Sequence, residues 1–182
     1  YDDESVYKNY EIFNQKKIKT NFENEIYEKY QINEVDYIDN DFILNKKHFE
    51  NIGFFDENIF LYFETMDLCK KARLANKKIY VCNKIKFSHY GSQSVSSNFS
   101  HKIALSRSWH YNWSKFYYFK KHFGYFFALR KIFPNFLRSL KRLLISKIYN
   151  KKIEYSLRKA ELSGIMTSVF NKPSDYRPFE IE

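Results

Sequence analysis

Hydrophobic and polar residues follow two rhythms along this chain, short alternations before residue 100 and helical spacing after it. The alternation in VDYIDNDFIL predicts a strand from Val35 to Leu44, followed by a short helix at Lys46–Asn51 and a turn at Gly53. An amphipathic helix is predicted from about Leu61 to Ala75, where Lys70, Lys71 and Arg73 suit a helix C-terminus. KIYVC and IKFSH then read as two short strands, Lys78–Cys82 and Ile85–His89. Beyond Ser100, Ile103, Leu105, Trp109, Trp113, Phe116, Tyr117 and Phe123 recur at helical spacing. A second stripe, Phe126, Leu129, Phe133, Phe136, Leu137, Leu140, Leu144 and Ile148, predicts a helix over Tyr125–Tyr149 that Pro134 breaks or restarts. A last helix is expected from Lys151 to Phe170, while residues 1–34 carry no sustained period.

Charge sharpens this division. The net charge is +10, yet residues 1–100 hold fourteen basic and sixteen acidic side chains. Residues 101–160 hold fifteen Lys and Arg against the single acid Glu154. The excess belongs to the helical half, whose partner should therefore be anionic. Its interleaved aromatic and basic residues suit either a core stripe or a helix at a membrane interface. No run of eighteen apolar residues exists, so no segment is expected to span a bilayer. Cys69 and Cys82 make no CxxC or zinc spacing and suit a reduced interior. A start at Tyr1 without a signal peptide predicts a piece of a longer product.

Candidate chemistry gathers in GFFDENIFLYFETMDLC, Gly53–Cys69, where acids interrupt an apolar stretch. Glu64 and Asp67, three residues apart, share one helical face. They can simply favour the positive end of the helix dipole and face water. Alternatively, a carboxylate at the edge of a cleft acts as a general base or holds a sugar or metal. A carboxylate beside Phe60, Tyr62 and Phe63 would gain basicity by desolvation.

The longer string GFFDENIFLYFETMDLCKKARLANKKIYVCNKIKFSHYGSQS resembles the acceptor-side half of bacterial family 2 glycosyltransferases of the rhamnosyltransferase-like kind, whose pattern runs roughly GGFDExFFLYFEDxDLCxR followed by HxGGxS. The likeness extends to a WHYxWSxFYY segment at Trp109–Gly124 and a KPSxYRP tail within Ala160–Pro178. It implies an α/β fold: a partial GT-A domain, truncated at the N-terminus, over 1–100, then a mainly helical, basic, amphipathic appendage over 101–182. The implied activity is inverting transfer of a sugar from a nucleotide-sugar donor to a glycan or lipid-linked acceptor, in cell-surface polysaccharide synthesis.

The resemblance also implies roles. His89 matches a ligand of the Mg²⁺ or Mn²⁺ that steadies the leaving diphosphate, and Gly91, Ser92, Gln93 and Ser94 match the loop closing over the phosphates. Asn40 stands where the family has a glycine near the sugars, with Asp41 beside it, and Tyr62 is a further binding candidate. Asp39-Asn40-Asp41 can be read as a DxD or simply as polar strand-edge positions, and the family's own DxD lies upstream of anything present here. The family's presumed base falls on Thr65, which cannot do that work, leaving Glu64, Asp67 or loss of activity as explanations; Glu64 is favoured. The isolated chain would be inactive without the donor half, and the enzyme would be cytoplasmic, peripheral on the inner face of the cell membrane. Two other readings stand beside it. One is a basic helical module for nucleic acid, against which the absence of any RRM, helix-turn-helix or OB pattern argues. The other is a non-catalytic relative that binds membrane.

Overall fold

The computed structural model describes residues 10–11, 26, 28–38, 42–85 and 100–177. Their fold is mixed and mostly helical. In order they form β1 (Tyr10–Glu11), β2 (Ile32–Val35), β3 (Tyr37–Ile38), α1 (Lys46–Phe49), α2 (Glu64–Leu74), β4 (Ile79–Cys82), α3 (Ser100–Phe123), α4 (Tyr125–Ile148) and α5 (Lys152–Val169). The chain divides into two units. A sheet-bearing unit comprises Tyr1–Asp56 and Thr65–His89, and a helical unit comprises Glu57–Glu64 and Tyr90–Glu182.

In the sheet-bearing unit, β2 pairs antiparallel with β4, Ile32 opposite Cys82 and Val35 opposite Ile79. β1 pairs antiparallel with β3, Tyr10 opposite Ile38. Among the described residues, the stretch predicted as a single strand over Val35–Leu44 holds the end of β2, which begins at Ile32, and the separate strand β3, and the two use different partners. The chain bends at Asp36, whose carboxylate pairs with Arg73 of α2. A charged residue tied sideways to a helix interrupts the ladder, and residues 42–45 carry no strand. α1 starts on an Asn45 cap whose side-chain oxygen accepts from the Lys47 backbone N–H at 3.1 Å. Leu68, Cys69 and Ala72 of α2 are buried, as is Val35 of β2. Both cysteines are free thiols.

The helical unit packs α3, α4 and α5 together. One part of its core gathers Phe116, Ala128, Ile132 and Ile165, with Phe119, Leu129, Phe136 and Val169 around them. The other gathers Trp109, Trp113 and Ala160, with Leu105, Tyr117 and Tyr176. Gly124 joins α3 to α4 at φ +91°, a conformation an L side chain rarely adopts. α4 runs unbroken through Pro134, contrary to the expected break. Pro134 sits on the exposed side, where the carbonyl it leaves without a donor can meet water, while Ala128, Ile132 and Ser139 hold the opposite side against the bundle.

α3 and α5 approach closely at Gly164. A Cβ there would lie 2.3 Å from the Trp109 carbonyl oxygen, a backbone atom that cannot swing aside. Gly164→Ala should therefore push the two helices apart and cost about 1–3 kcal/mol of stability. Urea unfolding of the variant measures this, and an unchanged midpoint would show that the contact is looser than the geometry states.

Candidate functional site

The FLYFE stretch enters α2 through an unusual backbone. Tyr62 and Phe63 both have positive φ, 66° and 67°, which for bulky residues costs about 1–3 kcal/mol each. Neighbours in the helical unit hold the turn in place. Ser114, fully buried, donates its hydroxyl to the Leu61 carbonyl at 2.8 Å. Tyr62 meets Tyr111 edge-on at 5.6 Å, and Phe63 lies 5.7 Å from Tyr111 and 5.5 Å from Tyr118. Phe60 packs on His110 at 4.8 Å, with the Arg177 guanidinium 3.7 Å above its ring.

Glu64 follows directly as the first residue of α2, and its Oε2 is buried with no hydrogen-bond partner among the described residues. A buried carboxylate oxygen without a donor is uncommon enough to require a reason. The Tyr62 phenol is near enough to feel both Glu64 and Arg107. Burial pushes its pKa up, Arg107 pulls it back, and Glu64 and Tyr111 add to the rise. The phenol consequently stays protonated at neutral pH and available as a donor. Chemically the turn combines an orphaned carboxylate oxygen, a phenolic donor and a guanidinium with exposed or half-exposed aromatic rings.

Asp67 has a different setting, within the sheet-bearing unit. Its side chain is fully buried, with Lys71 Nζ 3.7 Å away, and that ammonium also donates to the Phe54 carbonyl. Thr65, at the position where the resembling enzymes place their base, is buried as well. The expected carboxylate pair thus consists of two residues with distinct surroundings, one with an orphaned oxygen and one neutralised by a cation. His89, Gly91, Ser92, Gln93, Ser94, Asn40 and Asp41 lie outside the described residues. Among the described residues no group of three His, Cys, Asp or Glu could hold a metal ion.

The two outlying segments that carry the resemblance, Trp109–Gly124 and the KPSxYRP tail, meet each other. Trp109 stacks on Tyr176 at 5.4 Å, Trp113 Nε1 donates to the Lys172 carbonyl at 3.0 Å, and Lys120 Nζ donates to Asn171 Oδ1 at 2.6 Å. His110, fully buried, lies 2.9 Å by Nε2 from the Tyr176 carbonyl and 3.0 Å by Nδ1 from Ser174 Oγ. A carbonyl can only accept, so Nε2 carries the proton and Nδ1 accepts from Ser174. His110 and Arg177 were missed at the sequence level. The signal was present as WHYNWS and KPSDYRP, but nothing in either segment alone says that one packs on the other.

Burial lowers the His110 pKa, with the Tyr176 carbonyl and Asp175 opposing and Arg177 reinforcing the shift. A histidine held neutral stabilises the fold above its unfolded pKa of about 6.5. That contribution is lost as pH falls through the lower folded value, because the unfolded chain binds the proton more readily. The melting temperature should therefore drop as the pH is lowered below about 6.5 and be flatter above. His110→Gln should shrink the slope; a slope that the variant leaves intact would assign it to other groups.

No protein-family model matches the chain, and no curated protein or solved structure matches it. Among the described residues, no helix is long and apolar enough to cross a membrane.

Proposed function

We propose that this chain is the acceptor-side part of a family 2, GT-A-type glycosyltransferase, working at the inner face of the cell membrane. The observation that supports it most is the orphaned Glu64 oxygen behind two strained aromatic residues, within the motif that resembles the acceptor site. Backbone strain and unpaired buried acceptors concentrate at functional sites. A turn already held in an unfavourable conformation is also one that can shift to admit a hydroxyl.

In this reading Glu64 takes the proton from an acceptor hydroxyl while Tyr62 orients the sugar, and the oxygen attacks the anomeric carbon of the donor in one displacement. The carbon–oxygen bond to the diphosphate breaks as the new glycosidic bond forms, with inversion. His89 would bind Mg²⁺ or Mn²⁺, which stabilises the departing nucleoside diphosphate, and Gly91–Ser94 would close over its phosphates. Asn40 and Asp41 would border the sugars, and donor recognition would come from residues outside this chain. Asp67 then positions α2 through Lys71.

The test is release of nucleoside diphosphate by the whole gene product that carries this chain, over a panel of nucleotide sugars with Mn²⁺. One donor should support acceptor-dependent release that chelation and His89→Ala both suppress. Release that ignores the metal would remove His89 from the site, and no release from any donor would favour the non-catalytic reading.

A further inference from the structure

The outer side of α4 inverts the usual pattern of a bundle helix. Phe126, Phe133, Leu137, Leu140, Leu144 and Ile148 fall within about 40° of one line along the helix. They are 85, 56, 48, 37, 54 and 78 % exposed. The side packed on the bundle carries Ala128, Ile132, Ser139 and Ser146 instead, so the small residues are inside and most of the large ones outside. A continuous apolar strip of this size on a surface calls for a partner.

Charge selects that partner. α4 contains no acidic residue, and Arg130, Lys141, Arg138 and Lys131 follow one another to the same side of the strip, at about 40°, 60°, 120° and 140° from its line, while Arg142 lies further round and pairs with Glu154. Lys115 of α3 feels two of them: burial first, then Arg138 and Lys131, lower the pKa of its ammonium. None of the three takes part in an ion pair among the described residues. The occupant must therefore be anionic at its surface and apolar beneath it. Nucleic acid would satisfy the cations and leave the leucines wet. A second copy would cover the leucines and bring like charges together.

We infer that α4 lies in the interface of an anionic phospholipid bilayer, its exposed strip at the headgroup–acyl boundary and Lys115, Lys131 and Arg138 gathering lipid phosphates along its flank. This deepens the membrane-surface part of the reading above and does not depend on sugar transfer.

Co-sedimentation of the 182-residue chain with vesicles tests it, in the absence of any donor or acceptor. The chain should bind phosphatidylcholine–phosphatidylglycerol vesicles at least about tenfold more tightly than phosphatidylcholine alone. Lys131→Gln with Arg138→Gln should weaken binding about thirty-fold, and Leu137→Asp with Leu144→Asp should weaken it at least as much. Leu137→Trp should show a blue-shifted emission on vesicle addition. Circular dichroism checks folding; should the aspartate variant unfold, the glutamine pair, at two exposed positions, carries the test. Equal binding to both vesicle types would overturn the inference. So would a single-stranded oligonucleotide that binds more tightly than the vesicles, or a lipid-free dimer that the glutamine pair strengthens. Failure of sugar transfer with vesicle binding intact would count against the transferase reading alone.

Discussion

Glu64→Gln, introduced into the gene product that carries this chain, is expected to lower kcat by about 10²–10⁴-fold, the usual contribution of a positioned general base. The substitution keeps the shape of the side chain and removes its ability to accept a proton. KM should change little, because an amide can still hydrogen-bond the acceptor through its oxygen. The matched control is Asp67→Asn. Asp67 is buried against Lys71, so its loss leaves an ammonium short of its counter-charge and should lower stability more than turnover. Reversed outcomes, with turnover lost at Asp67 and kept at Glu64, would move the base one helical turn along α2.

Trp109→Ala is expected to cost about 3–5 kcal/mol, the range for emptying a buried aromatic site. Trp109 is 2 % exposed, stacks on both Trp113 and Tyr176, and donates through Nε1 to Ser163 at 3.2 Å. It also supplies the carbonyl against which Gly164 packs. Removing the indole empties one of the two core clusters and takes away the ring on which the 171–177 tail rests. Urea unfolding should show the loss, and the tail should become cleavable near Lys172 under native conditions. A protected tail in a destabilised variant would mean that His110, Trp113 and Lys120 suffice to retain it.

The helices of the second half were legible to within a residue or two at most ends, because long apolar periodicity is a strong local signal. Which side of α4 faces the bundle was not. Its stripe of large residues suited a membrane surface in the sequence, and spacing alone does not say that Ala128, Ser139 and Ser146 are buried while Phe126 and Ile148 are exposed. Pairing depends on what α3 and α5 offer, which no window along α4 contains. Pro134 was misjudged for a related reason, since tertiary packing can hold a helix whose local sequence argues for a break. In the candidate site, Glu64 and Tyr62 could be picked out from acids set among aromatics. The left-handed turn at Tyr62–Phe63 could not, because nothing in Tyr or Phe favours positive φ. His110 and Arg177 escaped because their contacts join residues more than sixty positions apart.

Transfer itself tests the central claim most directly. The whole gene product is incubated with cell membranes, Mn²⁺ and each radiolabelled nucleotide sugar in turn, and label is followed into the acceptor fraction. The account predicts that one sugar is transferred, that the new bond has the anomeric configuration opposite to the donor's, and that Glu64→Gln abolishes the signal. Label that stays in the nucleotide sugar for every donor, or that transfers equally well with Glu64→Gln, would contradict it.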